Sequence, residues 1–379
     1  MKILSVNAIL DPILGGGTAE RAFQMSRFLA RAGASCTVLT LDLGLKAERL
    51  TLLQPATAVV LPCTNPRYYL FALPEPRIKT LVRDADVVHL MGHWTLLNTL
   101  VARECLRQGK PYVVCPAGAL PIYGRSRLLK LLYNHLSGKR QIQRAAAYVA
   151  IARNELEQYA AYGIAADRVT LIPNGIDAAD FDDADTTAFS TKFGLPDDPF
   201  VLFLGRLAPI KGPDLILQAF INAAPAYPRV RLVFAGPDGG MLGALRATAN
   251  ASSLADRIHF IGAISGADKS RAYHAAALLA IPSRQEAMSI VVIEAGICGT
   301  PALITDRCGF DEVAEVGGGL IVKATAAALQ SGLAEMLSSP EKLPSMGNAL
   351  RLFTTKNYLW EHVVKDYIRL FEQVAQTRS

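Results

Sequence analysis

Phe200-Val201-Leu202-Phe203-Leu204-Gly205-Arg206-Leu207-Ala208-Pro209-Ile210-Lys211-Gly212-Pro213 begins with five apolar, strand-prone residues and runs into a glycine-bearing loop. A helix is expected over 213–224, with proline in its first turn. Apolar strands then recur at 230–235, 258–261, 278–281 and 301–304, with helical stretches between them. Strand alternating with helix predicts a parallel, doubly wound sheet.

The first half follows the same plan. A strand is expected at 3–9, a turn at Gly15-Gly16-Gly17, and a helix from Thr18 to about Ala32. Ala22, Met25, Phe28 and Leu29 recur on one face of that helix, and Gly33 ends it. Further strands are expected at 36–41, 57–61, 87–91 and 111–115. The pattern therefore starts twice. The predicted fold class is α/β, with two Rossmann-like doubly wound domains facing a central cleft. The expected boundaries are 1–177 and 178–357, with the crossover linker inside 177–198. A closing helix at about 358–379, carrying Trp360, Val363, Val364, Tyr367, Leu370 and Phe371, should pack back on the first domain.

Bulk properties narrow the function classes. The 379 residues are 51% hydrophobic and 19% charged, a globular composition. No run approaches the roughly 18 apolar residues of a spanning helix. The first residues read as a buried strand and not a signal peptide, because Asp11, Pro12 and the glycines interrupt them. The 6 cysteines form no CxxC pair and read as buried small hydrophobes, so the cytoplasm is the expected compartment. Of the net charge of +6, residues 1–176 hold 21 Lys/Arg against 11 Asp/Glu, and the remainder 18 against 22. The basic half can meet nucleic acid or an acidic membrane, or it can simply be solvated.

The chemistry concentrates in Pro282-Ser283-Arg284-Gln285-Glu286-Ala287-Met288-Ser289-Ile290-Val291-Val292-Ile293-Glu294-Ala295. Pro-Ser ends a strand, and a helix should begin near Ser289 with its free N–H groups beside Glu286. Eight residues place Glu286 and Glu294 about two helical turns apart. A hexose and a ribose each offer adjacent hydroxyls that a carboxylate accepts as a pair. The helix start suits a diphosphate. Arg206 and Lys211, on the loop after the opening strand, supply cations that favour a departing diphosphate without requiring a metal.

These stretches resemble the retaining glycosyltransferases of the GT-B fold (group 1, family 4), which include bacterial enzymes of polysaccharide assembly. The matching pieces are Ile172-Pro173-Asn174-Gly175-Ile176-Asp177, the 205–212 loop, Phe260-Ile261-Gly262, the Pro282 to Ala295 segment, Gly299-Thr300-Pro301 and Gly309-Phe310-Asp311-Glu312. The resemblance implies a UDP- or GDP-sugar donor as substrate, with no cofactor and no metal. It implies that Arg206 and Lys211 contact the diphosphate, Glu286 acts on the transferred sugar and Glu294 holds the ribose. The backbone of Ala287, Met288 and Ser289 would cradle sugar and phosphate. This chain has Ala-Met-Ser where the family usually has Gly-Phe-Gly, which narrows the pocket near the sugar.

In the first half, Gly15-Gly16-Gly17 resembles the family's first loop, so Gly16 and Gly17 are donor-binding candidates. Glu20 stands where a dinucleotide fingerprint needs a third glycine, which counts against a nicotinamide-dependent oxidoreductase. Val87-Val88-His89-Leu90-Met91-Gly92-His93-Trp94 resembles the family's histidine segment, with Met91 in place of its second histidine. If the strand persists, residues 89, 91 and 93 share a side, making His93 the catalytic candidate and His89 the more buried one. Residues 123–148 mix Arg125, Arg127, Lys130, His135, Lys139, Arg140 and Arg144 with Leu128, Leu129, Leu131, Leu132 and Leu136. That pattern suits an anionic membrane surface or a core-packing helix with a solvated basic side. The expected partners are a nucleotide sugar and a saccharide or lipid-linked acceptor, with the inner membrane face as docking surface and no nucleic acid. The remaining alternative is a non-catalytic basic docking module.

Overall fold

The computed structural model describes all residues except 74, 123–125, 287 and 377–379. Among the described residues, no helix is long and apolar enough to cross a membrane. The chain divides into two compact units: Met1–Gly175 with the chain from Trp360 onward, and Ile176–Leu359.

The first unit is built on β1 (Lys2–Val6), β2 (Ser35–Leu41), β3 (Thr57–Leu61), the hairpin β4 (Cys63–Asn65) and β5 (Leu70–Phe71), then β6 (Val87–Met91), β7 (Tyr112–Cys115), β8 (Ala147–Ala150) and β9 (Val169–Leu171). Seven of these form one sheet in the order β3-β2-β1-β6-β7-β8-β9, every pair parallel. Chain direction reverses across the sheet between β1 and β6, the switch point of a doubly wound fold. Central strands are apolar on both faces because helices cover both; β6 is buried throughout. The closing helix, Trp360–Gln376, belongs to this unit. Its buried stripe of Trp360, Val363, Val364, Tyr367, Leu370, Phe371 and Val374 has helical spacing, and each large member contributes roughly 1.5–3 kcal/mol by leaving water.

The second unit carries β10 (Phe200–Leu204), β11 (Arg231–Ala235), β12 (Ile258–Gly262), β13 (Leu278–Ile281), β14 (Ala302–Thr305) and β15 (Gly319–Val322). They pair in the order β12-β11-β10-β13-β14-β15, again all parallel. The switch point here lies between β10 and β13.

Three local expectations change. The 177–198 stretch is no bare linker: Asp185 caps a helix over Thr186–Phe193, Phe189 is buried against Phe193 and Phe200, and Gly194 closes it in the left-handed conformation. The first helix starts early, at Pro12, capped by Asp11, and breaks at Gly16 (φ 58°, ψ −146°). That conformation is open to glycine alone. The basic segment forms a shorter helical stretch than expected, Arg127–Tyr133 continuing through a π-turn at Asn134–Gly138 into Lys139–Gln143, and Tyr148 lies instead in buried β8. Its Arg125 falls outside the described residues.

Candidate functional site

Two loops meet at the switch point of the second unit. One follows β10 and ends in the tight turn Pro209–Lys211; the other follows β13 and carries Glu286. Gly212 (φ 65°) lets them touch, since a Cβ there would lie 2.1 Å from the Pro282 carbonyl oxygen. Lys211 Nζ lies 2.8 Å from Glu286 Oε1, with the glutamate side chain 8% exposed. Ser283 Oγ donates to the same oxygen. The Glu286 N–H donates to the Arg307 carbonyl at 2.8 Å, and Thr305 Oγ1 donates to the Ser283 carbonyl at 2.5 Å. A buried carboxylate is thus fixed beside a half-exposed ammonium, at the end of the sheet where such folds take ligands.

A brace that sequence reading missed joins the same loops. Arg284 grips Asp214 through both oxygens, at 2.9 and 2.6 Å, and its N–H donates to the Ile210 carbonyl at 2.8 Å. The Arg284 guanidinium holds the Asp214 carboxyl below its usual range. A bidentate pair resists twisting, so the Lys211 turn and the Glu286 loop move together. Arg206 sits on the same loop, exposed.

The helical relation expected between the two glutamates does not hold. The helix spans Ile290–Ile297, with Ser289 extended at its N-cap (φ −82°, ψ 103°), so Glu286 lies in the loop ahead of it. Glu294 is on the helix and 5% exposed. Its Oε1 meets Lys269 Nζ at 2.7 Å and its Oε2 accepts from Tyr273 at 2.6 Å, two partners that no motif indicated. Ser289 is fully buried and its hydroxyl has no hydrogen-bond partner among the described residues; Met288 is 8% exposed. Ala287 lies outside the described residues.

In the first unit, the Gly16 break follows β1 and His93 follows β6, so both flank that unit's switch point. Gly16 is half-buried and Gly17 exposed. Glu20 pairs with Arg49 at 2.7 Å. The strand ends at Met91 and Gly92 (φ 71°) turns the chain, so the alternation that would align residues 89 and 93 is interrupted. His89 packs on Tyr367 and Phe371 with both ring nitrogens buried and unpartnered. His93 instead lies edge-on to Trp94, Tyr133 and Tyr162. Its Nε2 is 2.9 Å from Asn134 Oδ1, while Asn134 Nδ2 donates to Tyr162 at 2.7 Å. That amide orientation puts the proton on Nε2 and leaves Nδ1 a buried acceptor without a protein partner. Burial pulls the His93 pKa down to about 4, so the ring is neutral at pH 7.

Among the described residues, no group of three His, Cys, Asp or Glu could hold a metal. Asp-x-Asp spacing does occur at Asp84/Asp86, Asp180/Asp182 and Asp183/Asp185, and the first and last of these pairs are engaged in the fold. Asp86 accepts from the Lys2 N–H, Asp183 pairs with Arg271, and Asp185 caps its helix.

Residues 185–353 match the family described as glycosyl transferases group 1, and residues 15–180 match glycosyltransferase family 4. The chain belongs to this glycosyltransferase family, and its two parallel-sheet units are those of the GT-B fold. It is 34% identical over 212 residues to a D-inositol 3-phosphate glycosyltransferase of Segniliparus rotundus, covering 54% of this chain and 47% of that one. The enzyme of the same name from Gordonia bronchialis is 31% identical over 231 residues, 57% of this chain and 49% of that one. The chain thus spans about half the length of these curated relatives. In fold it is similar to HepE of Anabaena, solved with UDP and glucose: TM-score 0.78, 18% identity, covering 98% of this chain and 100% of that one.

Proposed function

We propose that the protein is a retaining glycosyltransferase that moves a hexose from a UDP- or GDP-sugar to a saccharide or lipid-linked saccharide. Its product would enter exopolysaccharide, capsule or lipopolysaccharide synthesis. The observation that carries this reading is the Lys211–Glu286–Ser283 cluster at the switch point of the second unit. The matched relatives are named glycosyltransferases and HepE was solved with UDP and glucose, which supports the same reading.

In this mechanism Lys211 and Arg206 take up the charge that grows on the departing diphosphate, with the amide end of the Ile290–Ile297 helix adding to the field. Glu286 orients the sugar and stabilises the positive charge developing at its ring. Neither glutamate is a nucleophile: the acceptor attacks on the leaving-group face, and a phosphate oxygen takes its proton. Glu294 accepts the ribose hydroxyls. His93, Gly16 and Gly17 are the first unit's candidates for the donor, and His93 would act there as a neutral imidazole. No metal enters these steps.

The basic segment suits the anionic inner face of the plasma membrane, where lipid-linked acceptors reside. Leu128 is 81% and Leu136 70% exposed, and Arg127, Lys139, Arg140 and Arg144 stand exposed among them.

Thermal melts of the full chain against UDP- and GDP-sugars test the donor class. A true donor at 100 times its Kd stabilises the fold by about 2.7 kcal/mol. Stabilisation by NAD and by none of the nucleotide sugars would overturn the reading. Transfer from the donor so found, with the product's anomer assigned by NMR, tests retention.

A further inference from the structure

Glu294 is itself held by two residues of one helix, Ala267–Ala275. Lys269 and Tyr273 stand four apart, so their side chains leave the same face. Lys269 Nζ occupies Oε1 at 2.7 Å and the Tyr273 hydroxyl occupies Oε2 at 2.6 Å. Tyr273 is fully buried, and its carbonyl accepts from Thr300 Oγ1 at 2.7 Å. The Lys269 ammonium also lies 5.2 Å from the centre of the Phe181 ring. Each oxygen of Glu294 therefore has one fixed donor, and the carboxylate cannot rotate without losing one of them.

An ionised carboxylate accepts at about four lone-pair positions, two on each oxygen. With one per oxygen taken, one per oxygen remains. That is the set a vicinal diol needs, since its two hydroxyls reach the two oxygens of one carboxylate together. The geometry points to Lys269 and Tyr273 as positioning residues that set the Glu294 carboxylate to accept both ribose hydroxyls, making the donor site selective for a ribonucleoside diphosphate over its 2′-deoxy analogue. This rests on the reading of Glu294 as the residue that meets the nucleotide.

Calorimetric titration of the full chain with UDP, GDP and their 2′-deoxy forms tests it. The wild-type protein should bind its ribonucleotide at least about tenfold more tightly than the deoxy form, because a charge-assisted hydrogen bond is lost. In Tyr273→Phe and in Lys269→Met that preference should fall to about threefold or less, through weaker binding of the ribonucleotide. A general loosening of the fold weakens both nucleotides alike and leaves the ratio standing, which would overturn the inference. If the buried Tyr273→Phe variant does not fold by its melting curve, Lys269→Met decides, its side chain being 26% exposed. Equal binding of ribo and deoxy forms by the wild-type protein would instead sink the Glu294 reading. Binding of neither UDP nor GDP would sink the donor class itself.

Discussion

Lys211 Nζ and Glu286 Oε1 lie 2.8 Å apart, joining the loop after β10 to the loop after β13. The pair sets a nearly buried carboxylate against a partly exposed ammonium, and on the proposed function the first meets the sugar and the second the departing diphosphate. Removing either group loses charge stabilisation in the transition state. Glu286→Gln and Lys211→Met should each lower kcat/KM by about 10²–10³. The double variant should lose less than the product of the two, because both act through one contact. Steady-state kinetics on the three proteins measure this, and strict multiplicativity would mean that the pair does not act as a unit.

Arg21 illustrates a different use of charge. Its guanidinium is buried at 2% exposure and donates to Asn174 Oδ1 at 2.5 Å, to the Ile172 carbonyl at 2.9 Å and to the Tyr367 hydroxyl. It therefore ties the first helix, the chain just before the crossover and the closing helix together within the first unit. Arg21→Met leaves three buried acceptors without a donor and should destabilise the protein by about 3–5 kcal/mol. Urea unfolding monitored by circular dichroism is the check. A loss under about 1 kcal/mol would mean that water replaces the guanidinium.

His89 should make the fold acid-sensitive. Burial holds its pKa down to about 3, against an ordinary 6.5, with Arg21 adding to the effect. Above pH 6.5 neither the folded nor the unfolded chain protonates it. As pH falls below 6.5 only the unfolded chain takes the proton, so stability is lost progressively toward pH 3, by at most about 1.4 kcal/mol per unit. His93 adds the same trend down to about 4. His89→Phe removes two unpartnered nitrogens from an aromatic contact, so it should be neutral or stabilising at pH 7 and flatten the acid limb. Melting temperatures from pH 7 to 4 on both proteins test this; parallel curves would refute it.

The exposed leucines give a membrane test. Leu128→Glu with Leu136→Glu should lower binding to vesicles containing anionic phospholipid by about tenfold or more, through lost apolar burial and added repulsion. Binding of the unaltered chain should fall as salt rises, because the surrounding arginines and lysines act through a screened field. Co-sedimentation with vesicles at two salt concentrations reads both effects. Equal sedimentation of the variant and the unaltered chain would leave the segment without a docking role.

The strands at Val87–Met91, Phe200–Leu204 and Leu278–Ile281 stand where apolar runs predict them, because a strand covered on both faces writes itself as an uninterrupted hydrophobic stretch. β9 and β15 gave a weaker signal: β9 is short and has two exposed residues, and β15 is only partly buried beyond Gly319. The helix at Thr186–Phe193 was hidden among aspartates and threonines, since its stability rests on one buried phenylalanine and two caps.

Sequence by itself determined that two strand–glycine–helix plans follow one another and which family they resemble, and it singled out Glu286 and Lys211 as candidates. Composition, period and motif order are local properties of a chain, and they survive without a fold. Tertiary structure decided the partners. Only folding shows that Ser283, Arg284 and Asp214 brace the Glu286 loop, that Lys269 and Tyr273 seize both oxygens of Glu294, and that His89 and His93 face different neighbours. Most of these contacts join residues far apart in the chain. A hydrogen bond requires its donor and acceptor within about 3 Å, a condition set by sheet order and loop path and not by any spacing readable along the sequence.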